Sequence, residues 1–190
     1  MSITILGKKY DINLHYLNLD NNKLSSLPSE IGNLINLQEL YLYDNQLSSL
    51  PSEIGNLINL QKLNLYNNKL SSLVSEIGNL INLQILYLTN NQLSSLPSEI
   101  GNLINLQYLY LNNNKLSSLP SEIITIKNKL QINETSYEIN NLNMECKLLI
   151  FNTLNISINN LPINLKEIWL KKEITKYEIK LPFNCEIKFF

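Results

Sequence analysis

The chain has 190 residues, of which 44% are apolar and 16% are charged, and its formal net charge is −1. Five glycines and two cysteines exclude a collagen and a disulfide scaffold, and the lack of arginine argues against duplex nucleic acid as a partner. With one histidine the chain has few residues for catalysis, and no apolar run approaches the roughly 18 residues of a membrane span. We therefore expect a folded protein that is not an enzyme and has no cofactor, metal site, small-molecule substrate or membrane partner.

Residues 1–13 precede the repeated part of the chain and are predicted to form an N-terminal cap. Ile3, Ile5 and Ile12 lie among polar residues, as in a short strand that covers the open edge of a stacked core. The first residues lack the basic segment and long apolar stretch of a secretory signal. We therefore expect an intracellular, cytoplasmic protein.

Residues 14–128 consist of five consecutive units of 23 residues, and each contains the pattern LxxLxLxxNxL. Alternation of leucine with other residues predicts a short strand. The return segment, close to LPSEIGNL, is too short for a long helix, so we expect 3₁₀ or extended structure there. One unit cannot bury its leucines alone, but stacked units can. The residues of the second unit expected to point into the core are Leu37, Leu40, Leu42, Leu47, Leu50, Ile54 and Leu57.

This pattern is identified as the leucine-rich repeat of the 23-residue intracellular type, and it resembles Ras-suppressor-like and plant Ras-group repeat proteins. The resemblance implies an α/β-type solenoid, mostly β, that curves as a right-handed stack. Its parallel sheet would lie on the concave side, and 3₁₀ or extended arcs would lie on the convex side. The resemblance also implies a scaffold that binds another protein, because leucine-rich repeat proteins mostly act in this way. We expect residues 1–190 to form a single domain.

One asparagine recurs at position nine of every unit, counted from the first leucine, where the strand ends and the chain turns. Its amide can both donate and accept hydrogen bonds, so we expect a ladder that satisfies buried backbone groups and not a catalytic site. Proline recurs at the next bend of the chain, where Val74 replaces it in the third unit, and we expect slight local loosening there. The asparagine column is Asn22, Asn45, Asn68, Asn91 and Asn114, and the prolines are Pro28, Pro51, Pro97 and Pro120.

Positions three, five, seven and eight are expected to face solvent from the sheet, and seven of the ten tyrosines occupy them. Tyrosines gathered on one surface are typical of binding hot spots, because each offers a large contact area and a hydroxyl. The alternative is that tyrosine simply fills strand positions. We expect Tyr43 to neighbour Tyr66, and Tyr87 to neighbour Tyr110. The candidate partner-binding residues are Tyr16, Glu39, Tyr41, Tyr43, Asp44, Lys62, Tyr66, Tyr87, Tyr108, Tyr110 and Trp169.

Two further surface patterns leave alternatives open. Asp20, Glu39 and Asp44 gather near the first units, where they suit either a partner with basic groups or a solvated face. A column of isoleucines follows the inward leucine of each return segment. We favour burial of both columns, whereas an exposed isoleucine column would suit self-association and the alternative function of a structural or self-assembling protein. We expect a monomer or weak self-association. The column is Ile35, Ile58, Ile81 and Ile104.

Residues 129–190 are predicted to hold degenerate repeats and a C-terminal cap. The alternation of apolar residues continues there, but the spacing between the apolar segments is irregular. This alignment adds Trp169 to the concave positions. The pairs placed at positions four and six are Leu130 with Ile132, Leu149 with Phe151, and Ile168 with Leu170, and Cys146 and Leu165 are placed at position one.

The segments NNLPINLKEIWL and LPFNCEIKFF resemble the tails of repeat proteins encoded by giant DNA viruses of amoebae, which implies a viral protein without implying an activity. Phe183, Phe189 and Phe190 are predicted to cover the last repeat. Cys146 and Cys185 have no CxxC partner, so we expect both to be reduced.

Overall fold

The computed structural model describes residues 2–116, 119–120 and 122–123, and strands between residues 131 and 189. Each regular repeat contributes one strand of three residues, and wide arcs join successive strands. The strands are β1 (Ser2–Ile5), β2 (Lys8–Asp11), β3 (Tyr16–Asn18), β4 (Glu39–Tyr41), β5 (Lys62–Asn64), β6 (Ile85–Tyr87), β7 (Tyr108–Tyr110), β8 (Gln131–Asn133), β9 (Leu148–Phe151), β10 (Ser157–Ile158), β11 (Glu167–Leu170), β12 (Glu178–Ile179) and β13 (Glu186–Phe189).

One parallel sheet runs through the stack. Its nine strands lie in the order β13-β11-β9-β8-β7-β6-β5-β4-β3. Equivalent residues of successive units face one another, so that Leu40 pairs with Leu63. Strands β10 and β12 pair in parallel in a separate two-stranded sheet. The predicted curved solenoid, mostly β with a parallel sheet, is confirmed.

The convex arcs contain five-residue 3₁₀ helices, as the short return segment predicts. The N–H of Ile54 donates to the carbonyl of Pro51 at 3.1 Å and so closes the first turn. Val74 holds the equivalent place with φ −72° and ψ 148°, and the N–H of Ile77 donates to it at 3.2 Å. The loosening expected at Val74 is wrong, because this residue reaches the extended conformation without a pyrrolidine ring. The helices in the described residues are Ser29–Asn33, Ser52–Asn56, Ser75–Asn79 and Ser98–Asn102.

The leucine positions form one continuous core, as predicted. In the second unit Leu40 and Leu42 of the strand region are fully buried, and so are Ile54 and Leu57 of the return arc. Full burial of such a side chain contributes about 1.5–3 kcal/mol. Because each unit shares its buried face with its neighbours, the core runs along the stack and holds the strands in register.

Gly55 lets neighbouring arcs pack backbone against backbone. A Cβ atom added to it would lie 2.7 Å from the carbonyl oxygen of Glu76 and 2.8 Å from the Cβ of the same residue. Both distances are shorter than van der Waals contact, so a larger residue would push the arcs apart. The same close approach recurs at Gly32, Gly78 and Gly101.

Asn68 illustrates the ladder predicted at position nine. Its Oδ1 accepts a hydrogen bond from the N–H of Leu47 at 3.0 Å, and its Nδ2 donates to the carbonyls of Leu42 and Leu65 at 2.9 and 3.1 Å. Asn68 is 7% exposed, and its amide forms hydrogen bonds with backbone groups that have no partner in the strand ladder. Asn22, in the first unit, is exposed. The bonds of Asn68 recur at Asn45, Asn91 and Asn114.

A second asparagine ladder, which the sequence reasoning missed, joins successive arcs on the convex side. The Nδ2 of Asn59 donates to the carbonyl of Ile35, 24 residues earlier, at 2.9 Å. This ladder gives the carbonyls of the isoleucine column a partner in the next unit. The same bond, at 2.8 Å, joins Asn82 to Ile58 and Asn105 to Ile81.

The isoleucine column is exposed, which corrects the favoured expectation that the arc would bury it. The N–H of Ile58 donates to the carbonyl of Asn56 at 2.9 Å across Leu57, whose φ is −79° and ψ is 55°. These values describe an inverse γ-turn, and this tight turn separates the two side chains, with Leu57 buried and Ile58 exposed. The exposed fractions are 55% for Ile35, 51% for Ile58, 48% for Ile81 and 50% for Ile104.

The N-terminal segment forms a hairpin where a single short strand was expected. Strands β1 and β2 pair antiparallel, and Leu6 and Gly7 turn the chain between them with φ of 52° and 72°. Positive φ at both turn residues matches the twist of a two-residue hairpin. Ile3 and Ile5 are buried and Ile12 packs against the core, so the predicted capping residues do contact the first repeat.

The tail continues the sheet with one shift of register. Ile132 pairs with Leu109, which is at position four, so its predicted place at position six is wrong by two residues. The same shift carries through β9 and β11: Leu149 and Ile168 pair with each other, as their shared place predicts, but they lie at position two and not at position four. Phe151 and Leu170 likewise lie at position four and not at position six. Ile187 of β13 pairs with Ile168 from the other side. A shift of two residues preserves which face a strand presents, so the alternation was right although the position was not. Outside the described residues lie Cys146, Cys185, Leu130, Leu165, Phe183 and Phe190, and the side chain of Phe189.

Candidate protein-binding surface

Three rows of side chains cross the sheet, and together they define what we call the concave face. The register of β3 to β7 aligns positions three and five of successive units, and position seven follows two residues later. Position three holds Tyr16, Glu39, Lys62, Ile85 and Tyr108; position five holds Asn18, Tyr41, Asn64, Tyr87 and Tyr110; position seven holds Asp20, Tyr43, Tyr66, Thr89 and Asn112.

The tyrosine rings of the concave face pack against one another. Tyr43 and Tyr66 have ring centroids 5.2 Å apart, and Tyr87 and Tyr110 stack at 4.6 Å with only 8° between their planes. Both predicted neighbour pairs are confirmed. Because the rings cover each other, six of the seven tyrosines are half-buried and not open as expected, and only Tyr16 is exposed, at 53%.

Lys62 lies at the centre of the face above two of these rings. Its Nζ is 5.0 Å from the ring centroid of Tyr41 and 5.8 Å from that of Tyr87, within the range of a cation–π interaction. A hydrogen bond with Tyr41 raises the pKa of Lys62. Burial, followed by the hydrogen bond that its hydroxyl donates to Glu39 at 2.6 Å, raises the pKa of Tyr41.

A second polar network borders the face at positions seven and eight. The Nδ2 of Asn90 donates to the hydroxyl of Tyr66 at 3.0 Å, and the Nδ2 of Asn113 donates to the Oδ1 of Asn90 at 2.7 Å. Position eight has φ between 54° and 58° in all five units, a conformation that asparagine and aspartate tolerate best. Asn90 was not among the predicted site residues, although its recurrence beside a tyrosine position could have indicated it.

The charges of the face are unevenly placed. The carboxylates of Asp20 and Glu39 on the face, and that of Asp44 beside it at position eight, belong to the first two units, whereas the concave positions of the fourth and fifth units carry no charge. Each carboxylate is held by one hydrogen bond: Asp20 accepts from the backbone N–H of Tyr43 at 2.6 Å, and Asp44 accepts from an asparagine amide. The face therefore has an acidic end and an uncharged aromatic end.

The structure describes only the backbone of Trp169, so its place on the concave face rests on strand pairing. It pairs with Ile150, which pairs with Gln131, which in turn pairs with Tyr108. The two-residue register shift thus brings Trp169 into line with position three of the regular units. Within the described residues no group of three or more His, Cys, Asp or Glu side chains could hold a metal, and no helix could cross a membrane.

Comparisons with known proteins agree with this architecture. The sequence matches the leucine-rich repeat region family over residues 6–76 and 53–144. A plant peptide hormone receptor, RGFR1 in complex with RGF2, is similar with 32% identity and a TM-score of 0.65 over 87% of this chain, which spans only 30% of the receptor chain. Internalin C2 from Listeria monocytogenes is similar in fold, with 23% identity and a TM-score of 0.66 over 98% of this chain and 87% of the internalin.

A search among curated proteins found no match, and the resemblance of the tail to viral repeat proteins stays a prediction. The family match covers well over half of the chain, and the stacked 23-residue units with their parallel sheet agree with it. The chain therefore belongs to the leucine-rich repeat proteins.

Proposed function

We propose that this protein binds another protein through its concave face and catalyses no reaction. The observation that carries the proposal is the set of packed tyrosine rings on that face. Tyr87 and Tyr110 are already stacked, and Tyr66 is held by a hydrogen bond from Asn90. Binding to ordered rings loses little conformational entropy, so their contact area can be converted into affinity.

The similar plant receptor is described in complex with a peptide hormone, and proteins of this fold commonly act as binding scaffolds. This chain spans less than a third of that receptor, so the comparison supports a polypeptide ligand only as a class. The face also fits such a ligand, because aromatic rings, amides and a few charges alternate over five strands, as in protein interfaces.

The test compares two double variants in capture of partners from cells of the source organism. Tyr66→Ala with Tyr87→Ala removes aromatic area from the centre of the concave face, where a hot spot costs about 2 kcal/mol or more, roughly 30-fold in affinity. Ile58→Asn with Ile81→Asn is the matched control on the convex side. We expect the partner to be lost with the tyrosine pair and kept with the isoleucine pair.

Truncation of half-buried tyrosines can weaken the fold, so a third variant leaves their packing intact. Thr89→Arg adds bulk to position seven beside the tyrosines and should block the partner as well. Circular dichroism and the unfolding midpoint establish that each variant is folded. A partner retained by both folded concave variants contradicts the proposal.

The exposed isoleucine column supports a second candidate, weak self-association. Four isoleucines, each about half exposed, recur once per repeat unit along the convex side. Such a stripe is an apolar patch, but it is much narrower than the roughly 20–30 residues per side of a stable interface. Sedimentation velocity over a range of concentrations tests it: association that Ile58→Asn with Ile81→Asn abolishes supports it, and a strict monomer excludes it.

A further inference from the structure

The junctions between the regular units share one scheme of backbone hydrogen bonds. At the first junction the N–H groups of Gln38 and Glu39 both donate to the carbonyl of His15, at 2.8 and 3.0 Å. The N–H of Leu19 donates to the carbonyl of Tyr41 at 2.9 Å. The same bonds join β4 to β5, β5 to β6 and β6 to β7. Each unit therefore turns the N–H groups of positions two and three, and the carbonyl of position five, towards the unit before it.

The first unit has no unit before it, so these groups lie on an open edge. Strand β3 is the last strand of the nine-stranded sheet. Within the described part of the chain, no group accepts from the N–H groups of His15 and Tyr16, and none donates to the carbonyl of Asn18. All three residues are exposed. The edge of β3 is thus a template on which one more strand can pair.

Side chains of the first unit close the far end of this edge. The Oδ1 of Asn18 accepts from the N–H of Asp20 at 2.8 Å, and the Nδ2 of Asn22 donates to the carbonyl of Asp20 at 2.9 Å. In the next unit the equivalent carbonyl, that of Tyr43, instead accepts from the N–H of Asn21 at 2.9 Å. Asp20 therefore needs no added strand, and the open part of the edge stops at Asn18.

The N-terminal hairpin limits what can occupy the edge. Strand β1 packs against the 3₁₀ helix Ser29–Asn33, and Ile3 and Ile5 are buried, so the hairpin covers the end of the core. Among the described strands, β1 and β2 pair only with each other and leave β3 free. A second copy of the solenoid would need the place of the hairpin for its own core, whereas a single extended segment needs only the layer of the sheet. The edge therefore suits one strand of a partner.

We propose that a partner polypeptide adds one extended strand to the edge of β3, parallel to it, by β-augmentation. One carbonyl of the partner accepts from the N–H groups of His15 and Tyr16, and the N–H four residues later donates to the carbonyl of Asn18, as at the other junctions. An aromatic residue of the partner packs on Tyr16, which is 53% exposed and has the ring of Tyr41 on its other side at 5.4 Å. This inference goes beyond the proposed function, because backbone groups of the sheet edge carry it and the packed tyrosines of the concave face do not.

The probe is the peptide Lys-Gln-Tyr-Thr-Tyr-Thr-Asn-Lys with blocked ends, titrated into the full chain and followed by NMR. Its central part copies positions two to seven of the fifth unit, with threonine in place of the inward leucines. Two N-methylated forms are matched. Methylation of the second threonine removes the N–H that would donate to Asn18 and should weaken binding about three- to tenfold. Methylation of the second tyrosine changes an N–H that points away from β3 and should leave binding unchanged.

Amide hydrogen exchange locates the peptide. In the free protein the amides of His15 and Tyr16 should exchange faster than those of Gln38 and Glu39, which hold the same positions in the next unit and are hydrogen-bonded. The peptide should slow exchange of the first pair alone, about tenfold when nine-tenths of the protein is bound. Tyr16→Leu should weaken binding about two- to fivefold.

The matched control is Tyr108→Leu, at the same position on an inner strand, and it should bind the peptide like the wild type. Equal binding of the two methylated peptides, unchanged exchange of the His15 and Tyr16 amides, or no binding at millimolar peptide overturns the inference. Peptide contacts confined to the inner strands overturn it as well, because they place the peptide on the concave face. The capture experiment with Tyr66 and Tyr87 tests that face separately, so either proposal can fail without the other.

Discussion

Val74 adopts the backbone conformation of Pro51, one repeat earlier: φ and ψ are −72° and 148° in the valine and −70° and 149° in the proline. The carbonyl of each accepts the first bond of its 3₁₀ helix, at 3.2 and 3.1 Å. The arc of the third unit therefore has the same shape without the ring that restrains φ in the other four units.

The first prediction is that Val74→Pro stabilises the protein by about 0.4–1 kcal/mol. The native conformation already suits proline, so the substitution acts mainly by restricting the unfolded chain. Pro97→Val is the matched reverse change and should lower the free energy of unfolding by a similar amount. Unfolding in urea measures both; a Val74→Pro variant less stable than the wild type would contradict the equivalence of the two arcs.

The second prediction concerns the ladder at position nine. Asn68→Leu should cost about 1–3 kcal/mol, because buried backbone groups lose their partners. Lys69→Ala, at the next and exposed residue, should stay within about 0.5 kcal/mol of the wild type. Asn22→Leu should cost less than Asn68→Leu, since Asn22 is exposed. Equal urea midpoints for the variants of Asn68 and Lys69 would refute the role of the ladder.

The third prediction tests the contact between arcs. Gly55→Ala places a methyl group where the carbonyl oxygen of Glu76 lies 2.7 Å away, and Gly55 is buried. The arcs must separate to admit it, so we expect a loss of about 1–3 kcal/mol, as for other overpacked sites. Ser52→Ala, at an exposed residue of the same 3₁₀ helix, is the control and should have little effect.

The fourth prediction is a loss of stability at alkaline pH. Burial is the main cause of the raised pKa of Tyr41 and of Tyr110, so the folded state holds both phenolic protons more tightly than the unfolded state. Their contribution is complete below the unfolded pKa of about 10 and is lost as pH rises through the folded values. The free energy of unfolding should fall above about pH 10, and less steeply in Tyr41→Phe with Tyr110→Phe. Identical slopes would contradict this assignment.

The repeat made most of the fold predictable. Residues that recur every 23 positions occupy equivalent places in the stack. Their recurrence alone therefore predicted that the side chains of Leu40 and Leu63 point into the core and that Asn68 belongs to a ladder. Recurrence does not say which way a residue points when two apolar columns are adjacent. Leu57 is buried and Ile58 is exposed because the inverse γ-turn centred on Leu57 separates their side chains, and hydrophobicity does not encode this turn.

The candidate surface was predictable as a set of positions but not as a set of open side chains. Whether a tyrosine is exposed depends on its neighbour across the sheet: Tyr110 is covered by Tyr87, whereas Tyr16 on the edge strand has a ring on one side only. In the tail, alternation identified the face of the strand but not its register, because a shift of two residues leaves the face unchanged.

The position-nine ladder also bears on how such a chain can grow. From the second unit to the fifth, each asparagine reaches backward, as from Asn68 to the carbonyl of Leu42 and from Asn91 to that of Leu65, both 26 residues earlier. Every unit therefore offers its successor the same acceptor and donor, whatever its place in the series. A duplicated or deleted unit leaves each remaining junction chemically unchanged, so the length of the array can vary by whole units without any new interface having to evolve.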